Sequence, residues 1–406
     1  MEQSTEQFRV NRLPPFLLGE VAQAVIRARS SGRDIVDLSQ LNPNLGPPAA
    51  AVEKLVQASL QPHNHRYSSS HGIAKLRSAV TSWYGRRYGV ELSPDDEALV
   101  TMGTKQGISH LLFAVASPGD TVLLPSPAYP IHTAAAVLAG ANVAGVDLPL
   151  PESCSGVLDG SNDEFFSRLI HAFEASWPRP RMMLLSFPHN PTSLVATRCF
   201  FERLVELAKE RSFYLLHDFA YADIGYEENA TPSLLSIPGA IDVAVEFTSF
   251  SKGLSMPGWR VGSCCGNPRL VQALRKIKSY LDYGVFQPLQ IAAIQALHGY
   301  DAVIAETVDI YRARRDVLAA GLPELGFSFV EPKGGLFLWA RLPEVLRLEG
   351  SLQASMRMLN EANLAVCPGA GFDPHADEYV RFAFVEPEAR IRSALQQLGA
   401  FLGRNT

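Results

Sequence analysis

Lys252 is the one basic side chain in the run Ser249-Phe250-Ser251-Lys252-Gly253-Leu254-Ser255-Met256-Pro257-Gly258-Trp259, and Arg260 closes that run. It follows the apolar stretch Val243-Ala244-Val245-Glu246-Phe247. An amine held at a strand end with little charge beside it loses hydration. Desolvation disfavours the ammonium, lowers its pKa and leaves a nucleophile that can attack a carbonyl to give a Schiff base. Ser249, Ser251 and Arg260 can then bind a phosphate, the guanidinium through a two-pronged, charge-assisted contact. A Schiff-base lysine beside a phosphate cradle describes pyridoxal phosphate. An ordinary lysine in a loop after a strand carries the same short pattern, so the remainder of the chain has to decide.

The elements that must position this lysine can be read from Ala98 to Cys265. Short β-rich runs (Ala98–Met102, Thr121–Leu124, Asn142–Val146, Met182–Ser186, Phe213–His217, Val243–Phe247, Arg260–Cys264) alternate with helical stretches such as Gln106–Ala116, Tyr129–Leu138, Phe165–Ala175 and Arg198–Arg211. This alternation predicts an α/β fold, with a mostly parallel seven-stranded sheet covered by helices on both faces. Sites in such sheets gather at the carboxyl ends of the strands. Gly103-Thr104-Lys105 follows one strand and opens a helix, where free backbone amides bind phosphate, although many strand-to-helix turns carry a glycine for structure alone. Asp218, directly after a strand, wants a cation or a protonated ring nitrogen, because a carboxylate there is costly unless paired. Tyr221 and Asn190 suit a phenolate oxygen, and Tyr129 the face of an aromatic ring. Taken singly, these four residues read as well as a helix cap, a core tyrosine, a turn former and a packing aromatic.

Bulk properties narrow the class. The chain has 406 residues, 47% hydrophobic and 19% charged, with a net charge of −5, which places it among globular proteins large enough for two domains. Acidic and basic residues are interspersed, so no nucleic-acid partner is expected. The five cysteines, Cys154, Cys199, Cys264, Cys265 and Cys367, are odd in number and lack metal-ligand spacing, so neither a disulfide framework nor a metal site is indicated. The polar start Met1-Glu2-Gln3-Ser4-Thr5-Glu6 and the lack of any run of about 18 apolar residues leave export and membrane insertion without a signal. A cytoplasmic protein is expected.

Beyond Cys265 the pattern changes to long helical stretches, Pro268–Leu281 and Pro288–Ala320, then the strand-like Phe327–Val330, Leu336–Trp339 and Tyr379–Phe384, with helices Leu352–Ala362 and Pro387–Leu402. This describes a smaller α+β domain. The expected division is an N-terminal arm over 1–46 that packs with the small domain, a large domain over 47–290 and the small domain over 291–406. Arg381 alternates with Val380 and Phe382 and so faces away from their side of the strand.

Asn190-Pro191-Thr192, Asp218 with Tyr221, and Ser249-Phe250-Ser251-Lys252 with Arg260 occur in the order and spacing of the class I/II aminotransferases of fold type I, which the chain resembles over almost its whole length. The stretches His65-Arg66-Tyr67-Ser68, Tyr129-Pro130-Ile131-His132, His217–Ile224 and Ile277–Gly284 look most like the bacterial glutamate–pyruvate (alanine) subgroup. The resemblance implies a fold type I pyridoxal-phosphate-dependent transferase. It makes Lys252 the Schiff-base and proton-transfer lysine, Asp218 the partner of the pyridine nitrogen, and Tyr221 and Asn190 the holders of the ring oxygen. Tyr129 would stack on the ring, while Gly103, Thr104, Lys105, Ser249, Ser251 and Arg260 hold the phosphate. Tyr67 would reach in from the second subunit of a homodimer. Arg381 would clamp the substrate α-carboxylate, with Asn190 and Leu41 also on the substrate side. The implied reaction moves an amino group between an alanine-like or other apolar amino acid and a 2-oxo acid such as 2-oxoglutarate or pyruvate. A lyase, decarboxylase or oxygen-dependent oxidase on the same scaffold, or a non-catalytic cofactor-binding regulatory module, are the competing readings. The chain departs from the family where relatives read Gly-Asn-Pro-Asp and it has Leu41-Asn42-Pro43-Asn44. It departs again at Ser193, where they have Gly or Ala after Asn-Pro-Thr.

Overall fold

A run such as Met182–Leu185, buried at all four positions, is stable only in a strand covered on both faces. Residues 8–149, 155–227 and 230–403 are described in this computed structural model; the start of the arm at 1–7 and Cys154 lie outside them. The central sheet consists of β1 (Ala98–Thr101), β2 (Thr121–Ser126), β3 (Asn142–Asp147), β4 (Met182–Leu185), β5 (Tyr214–Asp218), β6 (Ala244–Ser249) and β7 (Gly262–Gly266). These seven strands lie in the order β1-β7-β6-β5-β4-β2-β3. β2 through β6 pair in parallel, and β7 runs antiparallel between β6 and β1. The sheet is mostly parallel, as the alternation predicts.

The period of two sorts the strand side chains between two layers. Leu99, Val122, Leu184, Leu216, Val245 and Cys264 pack with helix Gly103–Val115, helix Pro130–Ala139 and helix Pro268–Leu281. Val100, Leu123, Met183, Leu185, Leu215 and Cys265 face the opposite layer, with Trp83, Tyr84, Phe165 and Phe200 from helices Ala74–Tyr88, Asp163–Ala175 and Arg198–Arg211. Adjacent Cys264 and Cys265 are therefore buried on opposite faces of the sheet.

Three expected boundaries move for identifiable reasons. Asp218 is the last residue of β5 and not the first of a loop, because its backbone pairs in register with Phe247 and ladder pairing is indifferent to the side chain. Arg260 stands before β7 and not in it: its φ of 54° is left-handed and incompatible with a strand. The single helical stretch over 288–320 is two helices, Gln287–His298 and Tyr300–Gly321, parted at Gly299.

A second sheet of four antiparallel strands follows, in the order Ser328–Phe329, Phe337–Arg341, Tyr379–Ala383, Cys367–Pro368. The arm joins it. Val36–Asp37 pairs in parallel with Leu364–Ala365, and helix Leu17–Ser30 buries Val21, Ala24 and Val25 against Leu359 and Ala365. No helix among the described residues is long and apolar enough to cross a membrane.

A carboxylate sits inside the central layers. Glu246 on β6 is fully buried. It accepts from His217 Nδ1 at 2.9 Å, Ser233 Oγ at 2.6 Å, the Leu234 amide at 2.6 Å and Tyr84 Oη at 3.2 Å. Because the Phe187 amide donates to His217 Nε2 at 3.1 Å, that nitrogen is the acceptor and Nδ1 carries the proton. Removing a fully hydrogen-bonded buried carboxylate strands every donor aimed at it. Glu246→Leu is therefore expected to cost roughly 3–5 kcal/mol in denaturant unfolding, and Glu246→Gln clearly less. A Glu246→Leu protein within about 1 kcal/mol of the parent would show the cluster to be incidental.

Candidate active site

The parallel strands deliver their carboxyl ends to one edge of the sheet, where a cavity of about 760 Å³ opens between that edge, the arm and the second sheet. Of the residues singled out from the sequence, Leu41, Thr104, Lys105, Tyr129, Asn190, Asp218, Tyr221, Ser249, Ser251, Lys252, Arg260 and Arg381 all line it. Gly103 lies beneath its wall. Tyr67 is not brought to it.

Asp218 ends β5 and is 5% exposed. His132, on helix Pro130–Ala139, places Nε2 at 3.0 Å from Asp218 Oδ2, and the Tyr129 ring meets the imidazole edge-on at 5.7 Å. Oδ1 of Asp218 is buried with no hydrogen-bond partner. An orphaned carboxylate oxygen is costly, so the wall presents an acceptor that a donor arriving in the cavity would satisfy.

Lys252 lines the same cavity. Its Nζ donates to the Leu41 carbonyl at 2.6 Å and lies 6.0 Å from the centre of the Tyr221 ring. Burial, then the Arg381 and Arg260 guanidinium groups, push its pKa from 10.5 down to about 8, with Asp218 opposing them. Desolvation of the lysine, expected from its sequence setting, is therefore present and is reinforced by cations that lie far away in sequence. The Leu41 side chain packs against the main core, and it is the Leu41 carbonyl that meets the amine. The bulk that distinguishes this position from glycine is thus turned partly away from the substrate space.

At the other end, Gly103 begins helix Gly103–Val115 with φ +74°, and a Cβ there would sit 2.3 Å from Arg260 Nη2. Only glycine lets the guanidinium cross the helix N-terminus. Arg260 donates to the Met102 carbonyl at 3.3 Å and the Pro257 carbonyl at 3.2 Å. Ser251 Oγ is buried without a partner, Ser249 Oγ accepts from the Ser251 amide at 3.1 Å, and Thr104 and Lys105 occupy the first helical turn. Free first-turn amides, a guanidinium and an unpaired hydroxyl make an anion cradle.

The third corner is Arg381, 3% exposed on strand Tyr379–Ala383. Its Nη1 donates to Asn190 Oδ1 at 2.8 Å and its Nη2 to the Ser39 carbonyl at 2.9 Å, while Nε has no partner. Asn190 Nδ2 is 3.5 Å from the Tyr221 hydroxyl, whose pKa burial pushes well up, with Arg381 opposing. A planar ring with a donor nitrogen at Asp218, an oxygen at Tyr221 and Asn190, a carbonyl at Lys252 and a phosphate at Arg260 fits this wall.

Tyr67 is 84% exposed and leans on Tyr283, ring centres 4.5 Å apart. Sequence reasoning missed the arm's share of the lining, including Phe16, Leu18, Arg29 and Ser39. Ser39 follows the short strand Val36–Asp37, so the strand-end rule could have found it, whereas Arg29 on an amphipathic helix gave no signal.

The family model for aminotransferases of class I and II matches residues 33–398. A glutamate-pyruvate aminotransferase, AlaC, of Escherichia coli (strain K12) is 46% identical, covering 97% of this chain and 92% of its own length. An LL-diaminopimelate aminotransferase of Oleidesulfovibrio alaskensis is 37% identical, covering 98% and 100%. Among solved structures, an aspartate aminotransferase from Thermus thermophilus with maleate is similar at a TM-score of 0.88 and 28% identity, over 98% of this chain and 100% of that one.

The lowered pKa of Lys252 carries a stability cost. Between about 8 and 10.5 the unfolded chain holds a proton that the folded chain has lost. Stability therefore rises with pH across that window, and the full cost, roughly 3 kcal/mol, persists below it. In cofactor-free protein, Lys252→Met is expected to be more stable than the parent at pH 7 by up to that amount, with the difference shrinking as pH approaches 10.5. Denaturant midpoints that differ by the same amount at pH 7 and pH 10 would contradict this.

Proposed function

The chain belongs to the class I and II aminotransferases, and from that premise we propose that it works with pyridoxal phosphate on Lys252, moving an amino group between alanine or another small apolar amino acid and a 2-oxo acid such as 2-oxoglutarate or pyruvate. The observation that carries the cofactor assignment is Asp218 Oδ1, buried and unpartnered in the lining of the cavity that Lys252 shares. The Gly103–Arg260 cradle, which a Cβ at Gly103 would fill, supports it at the phosphate end. When bound, the cofactor supplies a carbonyl carbon for the amine and a ring that takes up the electron pair left behind by the α-proton.

The chain's own residues do the rest. Asp218, steadied by His132, holds a proton on the ring nitrogen and so keeps the ring able to accept electrons. Tyr221 and Asn190 orient the ring oxygen, and Tyr129 covers the ring face. Arg381 binds the substrate α-carboxylate with the Nε that has no partner and an adjoining N–H, fixing the α-carbon near Lys252. Lys252, whose amine gives up its proton more readily because of burial and the neighbouring cations, is the base that would take the α-proton and return it on the cofactor side. Phe16, Leu18 and Ala22 of the arm line the cavity, and they support a small or apolar side chain for the donor. The similarity to the glutamate-pyruvate enzyme supports the same pairing.

The division into an arm over 1–46, a large domain over 47–290 and a small domain over 291–406 belongs to this reading, as does a cytoplasmic location. So does a homodimer in which Tyr67 of each subunit completes the other's site. The aromatic pair Tyr67 and Tyr283, exposed together, supports that assembly.

Two measurements test the proposal. Mixed with single amino acids and no acceptor, the holoenzyme is expected to release one equivalent of 2-oxo acid, fastest from alanine. It should stop until an oxo acid is added, and Lys252→Ala should lose both the absorbance and the reaction. Continued turnover releasing ammonia, carbon dioxide or peroxide would sink transamination. Mixing inactive Lys252→Ala subunits with Tyr67→Ala subunits is expected to restore activity through hybrid dimers with one intact site; an active monomer in sedimentation would contradict the shared site.

A further inference from the structure

Ser193 stands where the family has Gly or Ala, and its setting gives the hydroxyl a task. Its φ is 65°, a left-handed conformation that costs a side chain about 1–2 kcal/mol, and it is 2% exposed. Its amide donates to the His189 carbonyl at 2.7 Å, closing the turn that presents Asn190. Its Oγ donates to the Phe337 carbonyl at 2.6 Å.

That carbonyl lies on an open edge. Strand Ser328–Phe329 covers only Arg341 and Ala340 of strand Phe337–Arg341. The Leu336 carbonyl already accepts from Phe384 on the other side, so the next carbonyl, that of Phe337, faces the uncovered edge. The Ser193 hydroxyl takes the place of the missing strand. Phe337 in turn separates two site residues: its ring stands edge-on to Tyr221 at 5.1 Å and lies 5.7 Å below the Arg381 guanidinium. Just upstream, Gly334 is wedged so tightly that a Cβ would meet Pro188 Cγ at 2.7 Å and the Ile224 carbonyl at 2.9 Å. The turn over 190–193 therefore grips Arg381 twice, directly through Asn190 Oδ1 at 2.8 Å and indirectly through Ser193, Phe337 and the ring under the guanidinium.

We propose that Ser193 is a positioning residue of this enzyme, which locks the Phe337 end of its strand to the Asn190 turn and so sets the pose in which Arg381 receives the substrate α-carboxylate. The inference rests on the assignment of Arg381 as that clamp. Because both substrates carry the carboxylate, the effect falls equally on the amino acid and the oxo acid. Because the proton is moved by Lys252, the effect falls on binding and not on turnover.

The test compares three holoenzyme variants. Ser193→Ala is expected to raise KM for the amino acid and the oxo acid together by about tenfold, the scale of one lost hydrogen bond, with kcat within about threefold and the cofactor absorbance unchanged. Ser193→Gly relieves the backbone and should melt at a higher temperature than Ser193→Ala, yet share its raised KM. Arg381→Gln is expected to raise KM for both substrates by about a hundredfold or more. If Ser193→Ala keeps its KM within about twofold while Arg381→Gln does not, the positioning role is overturned and the clamp stands. A Ser193→Gly variant whose KM recovers along with its melting temperature would likewise overturn it, since KM would then only follow folding. An Arg381→Gln protein with unchanged KM would take down the clamp and the inference together.

Discussion

A carboxylate placed in the interior of a sheet can remain only if its lone pairs are filled, and Glu246 is held in that way by a histidine, a serine, a tyrosine and a backbone amide. The consequence reaches well past β6. His217, paired opposite Glu246 in the β5–β6 register, is forced to protonate Nδ1, and its Nε2 is then free to accept from the Phe187 amide. One buried charge thereby fixes the spacing of β5 and β6 and the start of the turn that follows β4. Those are the elements that end in Asp218, lead to Lys252 and present Asn190.

The cavity these ends surround is electrostatically one-sided. Lys105, Lys252, Arg260 and Arg381 line it against Asp218 and Glu386, with Arg29 and Asp37 facing each other at 3.7 Å in the arm. Crowded cations raise each other's cost of charging. Burial, and after it the neighbouring cations, lower the pKa of Lys252 to about 8, so the crowding of charge in the cavity eases its deprotonation. The cations that line the anion cradle thus also act on the lysine, second to burial, and a cradle with fewer of them would hold a more basic amine.

Much of this was legible in the sequence, for a physical reason. Doubly covered parallel strands are written as short apolar runs, and the residues that follow such runs converge on one edge whatever their separation in the chain. Lys252, Asp218 and Asn190 could be assembled on paper because each is tied to the carboxyl end of a strand. What escaped was set by side-chain reach and backbone angle. Arg260 has the φ of 54° that its crossing of Gly103 demands, a property no run of residue types displays. The two departures from the family, Leu41 and Ser193, show in the sequence only as changed residue types. In space, one offers its carbonyl to Lys252 and the other its hydroxyl to Phe337.

The parallel pairing of Val36–Asp37 with Leu364–Ala365 has a consequence for how the molecule comes into being. The arm is synthesised first, yet its strand has nothing to pair with until almost the whole chain has left the ribosome. The central sheet, by contrast, can close from segments already made. Ser39 and Leu41, whose carbonyls engage Arg381 and Lys252, lie directly beyond that strand. The site is therefore finished by the longest-range closure in the topology, the kind of pairing that forms late and slowly. A chain in which this pairing has not formed lacks both contacts, so the arm's share of the site waits on residues at the opposite end of the fold's topology.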